Sequence, residues 1–286
     1  IWGLQQVFVK AVSTDMPAVL QMALRFGIAS VLLIAVMIWR KERLFCRHTL
    51  KAGLLAGVLF ASEFFLVGEG LRYTTASHMA IFLYSAPIFV ALILHFRLTS
   101  ERLNTMQWVG ILSAFSGIAL SFLWREAKVG AADDMILGDF LAVLAALSWA
   151  VTTVLVRSSS LAKASATQTL LYQLLTGFIV ILIGAFVTDQ TEFTVTTEVI
   201  SNLIFQGTVV SFGSLLLWFW LLRQYSASEL GVFTFLTPVF GVELGVLILD
   251  EPLELSFIIG ALLVVLGIAL VSSHHKIVRR VKLAFQ

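Results

Sequence analysis

Apolar residues in this chain come in ten long runs, at about 1–13, 17–39, 50–71, 75–96, 104–124, 137–156, 166–187, 199–222, 229–249 and 254–272. As an α-helix, a run of about 20 such residues crosses the roughly 30 Å hydrocarbon core of a bilayer. A membrane barrel would instead alternate apolar and polar residues over about ten positions, and these runs do not alternate. Only 13% of residues are charged and 59% are hydrophobic, against about 25% charged in a soluble domain. Too few polar groups exist to cover a water-facing surface. The expectation is an all-α polytopic membrane protein of ten transmembrane helices. The first run ends near Val12, too short to span, so a short N-terminal piece ahead of Ile1 is expected.

Lys and Arg in short loops mark the cytoplasmic side. With the N-terminus inside, fourteen of the nineteen fall on the inner side, from the Arg40–Arg43 cluster to Lys282. The outer side receives only Arg72, Arg125 and Lys128, while Lys10 and Arg25 lie within runs. Both termini are therefore expected in the cytoplasm, with a basic tail at 274–286.

The chain also repeats itself. Tyr73–Phe122 can be laid on Tyr225–Ser272, matching Pro87 with Pro238, Glu101 with Glu251, Gly110 with Gly260 and Gly117 with Gly267. At the front of each half, Trp2-Gly3 with Lys10 matches Trp149-Ala150 with Arg157 at equal spacing. The organisation expected is a first repeat at 1–124 (helices 1–5), a connecting loop at 125–136 and a second repeat at 137–273 (helices 6–10). Five helices per half means that the second copy enters the bilayer from the opposite side. That is the inverted-repeat plan of secondary transporters, whose substrate site lies near the midplane between the halves.

Several segments together resemble the drug/metabolite transporter superfamily. They are Trp2-Gly3…Lys10, Leu24-Arg25-Phe26, Arg72–Ser77, Pro87-Ile88-Phe89, Glu101-Arg102-Leu103…Gly110 and Gly138-Asp139…Ser148-Trp149-Ala150. The chain looks like an EamA-type ten-helix carrier, most similar to the YddG-type aromatic amino acid exporters. The resemblance implies export of small metabolites across a bacterial inner membrane. One departure is that Leu175 sits near the position matching Arg25, so the halves do not share that charge.

Charged groups at the centre of a membrane helix cost about 2.5–3.5 kcal/mol each, so they face a cavity or one another. Lys10, Arg25, Glu63 and Glu243 are of this kind, with His78 and Glu69 nearer the outer boundary. One reading is structural: Arg25 pairs with Glu63 or Glu69, and Lys10 snorkels outward. The other is functional, with capture of a zwitterion or a protonation switch, for which Glu243 is the leading carboxylate. A wall of rings suits an apolar or aromatic side chain. Trp2, Trp149, Trp218, Phe82, Tyr84 and Phe233 are candidates for it, with His78, Gln6, Thr153, Ser211 and Ser214 as polar lining. Small hydroxyl residues equally serve as contacts between helices. Pro87 and Pro238 fall mid-run in matching helices, as static kinks or as hinges for alternating access. The four matched glycines read as packing sites of the fifth and tenth helices.

The single cysteine, Cys46, excludes an intrachain disulfide. No phosphate-binding glycine loop or zinc-protease motif is present. No cofactor, metal or nucleic acid is expected, and the five scattered histidines give an intramembrane enzyme no converging ligands. The expected partners are a small-molecule substrate and the lipid bilayer. The oligomeric state is left open, with a monomer expected to suffice for function. The expected function is a secondary transporter exporting small amphipathic metabolites, amino acids and aromatic ones among them. A nucleotide-sugar or drug carrier of the same fold is the alternative.

Overall fold

The computed structural model describes residues 1–97, 102–123, 132–224 and 236–284. In chain order the helices are α1 (Trp2–Ala11), α2 (Ala18–Trp39), α3 (Arg47–Tyr73), α4 (Ala76–Leu83), α5 (Ala86–Arg97) and α6 (Thr105–Leu123). They continue with α7 (Ala132–Ser158), α8 (Ala166–Val187), α9 (Thr197–Ile204), a π-helical stretch (Phe205–Ser214), α10 (Leu215–Gln224), α11 (Leu236–Leu249) and α12 (Leu255–Ala284). No strand occurs among the described residues. Among the described residues, six helical spans are long and apolar enough to cross a membrane, and Thr105–Leu120, Leu236–Leu249 and Leu255–Val271 are shorter apolar helices.

Local chemistry sets where several helices begin. Pro17 lies just ahead of α2, where its fixed φ costs no helical hydrogen bond. Thr75, Ser165 and Thr196 accept from the backbone N–H of His78, Gln168 and Val199 and so cap α4, α8 and α9. Large apolar side chains point outward along the helices: Val31, Ile38, Phe186, Leu247 and Leu262 are all exposed. An outer surface of this kind is matched to lipid.

Helices approach closely where glycine removes the side chain. Gly53 and Gly57 of α3 receive Tyr172 and Thr176 of α8, and Gly177 of α8 receives Phe26 and Phe60. α6 and α12 form the most regular contact. A Cβ on Gly110 would lie 2.8 Å from the Gly267 carbonyl oxygen, and one on Gly117 would strike the Gly260 carbonyl oxygen. As numbering rises along α6 it falls along α12, so the two helices run antiparallel.

Two helical spans are interrupted. The span Ala76–Arg97 breaks at Tyr84 and Ser85, and Pro87 sits second in α5. Pro87 therefore sits beside an interruption of the span Ala76–Arg97, where the sequence places a kink or a hinge. The ring occupies a helix start, where its missing N–H would have had no intrahelical acceptor. Pro238 lies within α11. The other interruption is the π-helical stretch between α9 and α10, whose wider turn shifts the register of Ser211 and Ser214 relative to Trp218.

Candidate functional site

Two of the polar clusters among the described residues concern the candidate site. The first is central and is built from α1, α2, α3 and the π-helical stretch. Arg25 of α2 is 1% exposed. Its Nη1 donates to Gln206 Oε1 at 3.1 Å, and Gln206 Nε2 donates to the Gln5 carbonyl at 3.0 Å. The Gln5 amide suits its surroundings with its oxygen toward Arg25, where it accepts from Nη1 and Nη2 at 3.2 and 3.3 Å. The guanidinium also lies over the rings of Phe26 and Phe64, 4.7 and 4.8 Å from their centroids, a cation–π arrangement. Gln21 extends the file of amides by donating to the Val9 and Met16 carbonyls and accepting from Asn202 Nδ2 at 3.0 Å.

The expected pairing of Arg25 with Glu63 or Glu69 does not form. Glu69 binds Arg72 at 2.9 Å and accepts from Gln190. Glu63 is buried beside Arg25 and interacts with it electrostatically, but outside the 4 Å of an ion pair. The described residues offer Arg25 only neutral hydrogen-bond partners.

Aromatic side chains border this cluster. Trp2 Nε1 donates to Ser214 Oγ at 2.9 Å, and its ring meets Trp218 edge-on with centroids 5.2 Å apart. Trp149 meets Tyr84 edge-on at 5.4 Å. The Tyr84 hydroxyl lies near Thr237 and feels the charge of Glu63. The two tryptophans thus belong to two different aromatic pairs. Gln6 Oε1 and Ser211 Oγ are buried without hydrogen-bond partners. Thr153 returns its hydroxyl to the Trp149 carbonyl at 2.9 Å, so it is satisfied within its own helix.

The second cluster lies where α1 and α3 end and α4 begins, beside Asp139 of α7. Lys10 Nζ donates to the carbonyls of Leu71 and Thr74 at 2.5 and 3.0 Å. It therefore does not snorkel outward. Its charge meets the unsatisfied carbonyls at the C-terminus of α3, the negative end of that helix. The Thr74 hydroxyl donates to Asp139, and His78 Nδ1 lies 2.9 Å from Asp139 Oδ2. His78 stacks on Phe257, centroids 3.9 Å apart and planes within 7°, with Phe82 beside it at 5.8 Å. His78 is therefore held in this second network. Asp250 takes a left-handed turn, φ 50°, after which Glu251 reaches the start of α4. Its carboxylate accepts from the N–H groups of Ala76 and Ser77 at 2.6 and 2.9 Å and from Ser77 Oγ at 2.6 Å.

Glu243 lies on the exposed side of α11, on one stripe with Leu236, Phe240 and Leu247. The opposite side, with Gly241 and Gly245, faces α4. Phe233 lies outside the described residues, as does Glu101. Sequence reasoning missed Gln5, Gln21, Asn202, Gln206, Asp139 and Glu251 as members of these clusters. The available signal was a polar side chain inside an apolar run for the amides, and the Gly138-Asp139 and Glu101/Glu251 matches for the carboxylates.

A model of the EamA-like transporter family matches the chain twice, over residues 1–123 and 136–273. An uncharacterized transporter of Bacillus subtilis strain 168, YoaV, is 26% identical over 271 residues, covering 94% of this chain and 91% of its own. A probable amino-acid metabolite efflux pump of Escherichia coli strain K12 is 24% identical over 279 residues, covering 94% and 90%. One solved crystal structure superposes with a TM-score of 0.66 at 19% identity, covering 94% of this chain and 92% of the other. At that identity the likeness concerns the fold.

Proposed function

We propose that this chain, which belongs to the EamA-like transporter family, is a secondary transporter that exports small amphipathic metabolites, amino acids and aromatic ones among them. The observation that carries this reading is the central cluster. A buried cation with neutral partners sits among amides and is bordered by two aromatic pairs. That combination suits a ligand with one charged end and one apolar end.

In this reading ten helices form two inverted five-helix halves, 1–124 and 137–273, joined by 125–136. What supports it is the antiparallel crossing of α6 and α12. The matched positions exchange partners across it: Gly110 meets Gly267 and Gly117 meets Gly260. A two-fold axis produces this reciprocal pattern. Alternating access follows if the halves exchange shapes, with the Lys10–Asp139–Glu251 cluster closing one end of the pathway. Lys and Arg counts support an inner-membrane location with both termini in the cytoplasm. The printed name of the Escherichia coli relative supports amino-acid metabolites as cargo.

The test is uptake of radiolabelled amino acids into proteoliposomes carrying the purified protein, with and without a pH gradient. Saturable uptake of aromatic or branched amino acids, lost in Trp149→Ala, is the expected result. Movement of a nucleotide sugar or a drug with no amino-acid flux would transfer the reading to another carrier of the same fold.

A further inference from the structure

Arginine carries five N–H donors in a rigid plane. Gln206 accepts from Nη1 of Arg25, and the Gln5 oxygen straddles Nη1 and Nη2 at the end of the fork. That leaves the side edge, where Nε–H and the second Nη2–H point the same way. Nε is buried and has no hydrogen-bond partner. An unmet buried donor costs about 1–3 kcal/mol, and a parallel pair of donors is the geometry that a carboxylate accepts in bidentate fashion. Glu63 supplies the opposite sign nearby. It is 5% exposed, and it makes no hydrogen bond or ion pair with another described residue, yet it interacts electrostatically with both Arg25 and Tyr84.

We infer that Arg25 and Glu63 together form a zwitterion site, in which Arg25 binds the carboxylate and Glu63 binds the ammonium of an α-amino acid. This rests on the transport reading above and narrows its substrate class. A direct Arg25–Glu63 ion pair would satisfy both charges and leave nothing for a ligand. Here the two charges are held more than 4 Å apart, and Arg25 is tied to Gln5 and Gln206. An amino acid neutralises both charges at once. Its side chain then lies toward Tyr84, which neighbours Glu63, and toward Trp149 beyond it. Desolvating a charged ligand end is tolerated only where a fixed opposite charge replaces its water, so an analogue missing either charge leaves one protein charge buried and unanswered.

The experiment is competition against flux of the best-transported amino acid in proteoliposomes. The competitors are its carboxamide, which lacks the carboxylate, and its N-acetyl derivative, which lacks the ammonium. In the unmodified protein each analogue is expected to compete at least tenfold more weakly than the amino acid. Arg25→Gln should abolish discrimination against the carboxamide but keep it against the N-acetyl form, and Glu63→Gln should do the reverse. Equal competition by all three in the unmodified protein overturns the inference while leaving amino-acid transport intact, and needs no variant to fold. Variants that weaken every ligand alike also overturn it, because that is the signature of a structural pair. Flux of no amino acid, where another metabolite moves, overturns the transport reading and this site together.

Discussion

Gly117 lies against Gly260 so closely that a Cβ on Gly117 would strike the Gly260 carbonyl oxygen and come within 2.9 Å of Leu263 Cβ. The obstacle is backbone, which cannot move aside as a flexible side chain can. Gly117→Ala should therefore lower stability by about 1–3 kcal/mol through overpacking, read as a fall in the thermal unfolding midpoint in detergent. Leu112→Ala, on the same helix but 63% exposed, should leave that midpoint nearly unchanged. Equal effects would remove the α6–α12 contact as a tight interface.

Glu251 satisfies two N–H groups and a hydroxyl at the start of α4 from the turn after α11. Hydrogen bonds to a charged group contribute about 1.5–3 kcal/mol net. Glu251→Ala should lower stability by about that amount, and Glu251→Gln by less, since the amide oxygen still accepts. Ser77→Ala in the Glu251→Ala background should add little, because the two share one interaction. Thermal unfolding of the four proteins of that cycle measures it.

Trp2 reaches the π-helical stretch through its indole N–H on Ser214. Trp2→Phe keeps a ring against Trp218 but removes the donor. Trp2→Phe and Ser214→Ala should each cost about 0.5–1.5 kcal/mol, and the double variant should cost less than their sum. Full additivity in unfolding measurements would show that the hydrogen bond contributes nothing.

Cys46 precedes α3, in a cleft of about 410 Å³ lined with Arg43, Lys163 and Gln168. The N–H groups of His48 and Thr49 at the start of α3, with Arg43 nearby, hold its thiol below the ordinary thiol range. The thiolate is the reactive form, so a lowered pKa keeps it reactive toward lower pH. Labelling by a membrane-impermeant maleimide should reach half its maximal rate at a lower pH than a free thiol does. It should succeed on inverted vesicles and fail on intact cells if this end faces the cytoplasm. The opposite sidedness would reverse the orientation read from the Lys and Arg counts.

Most helix positions could be read from the sequence, because apolar run length and capping residues are local properties. The runs at 17–39 and 166–187 match α2 and α8 almost to the residue. The π-helical stretch could not be read, because its widened turn answers to packing against α2, where Gly207 meets Ile28. Nor could the break at Tyr84–Ser85, since the run from 75 to 96 reads as one predominantly apolar stretch and a proline by itself does not say which side of it the helix stops.

The roles of charged residues were legible only as a question. Depth and sign paired Arg25 with Glu63 or Glu69 and sent Lys10 outward, yet Arg25 lies on amides and Lys10 on backbone carbonyls. Side-chain rotation about each helix axis decides such partners, and hydropathy does not encode it.

By itself, then, the sequence determined the medium, the helical class, the family and the internal repetition, since each follows from residue type and spacing along one chain. Only the tertiary structure decided that Gln206, 181 residues away, completes the surroundings of Arg25, and that Glu251 closes on Ser77. Those contacts depend on how helices from opposite ends of the chain are rotated and brought together, and glycine-mediated close packing sets that geometry across the whole bundle.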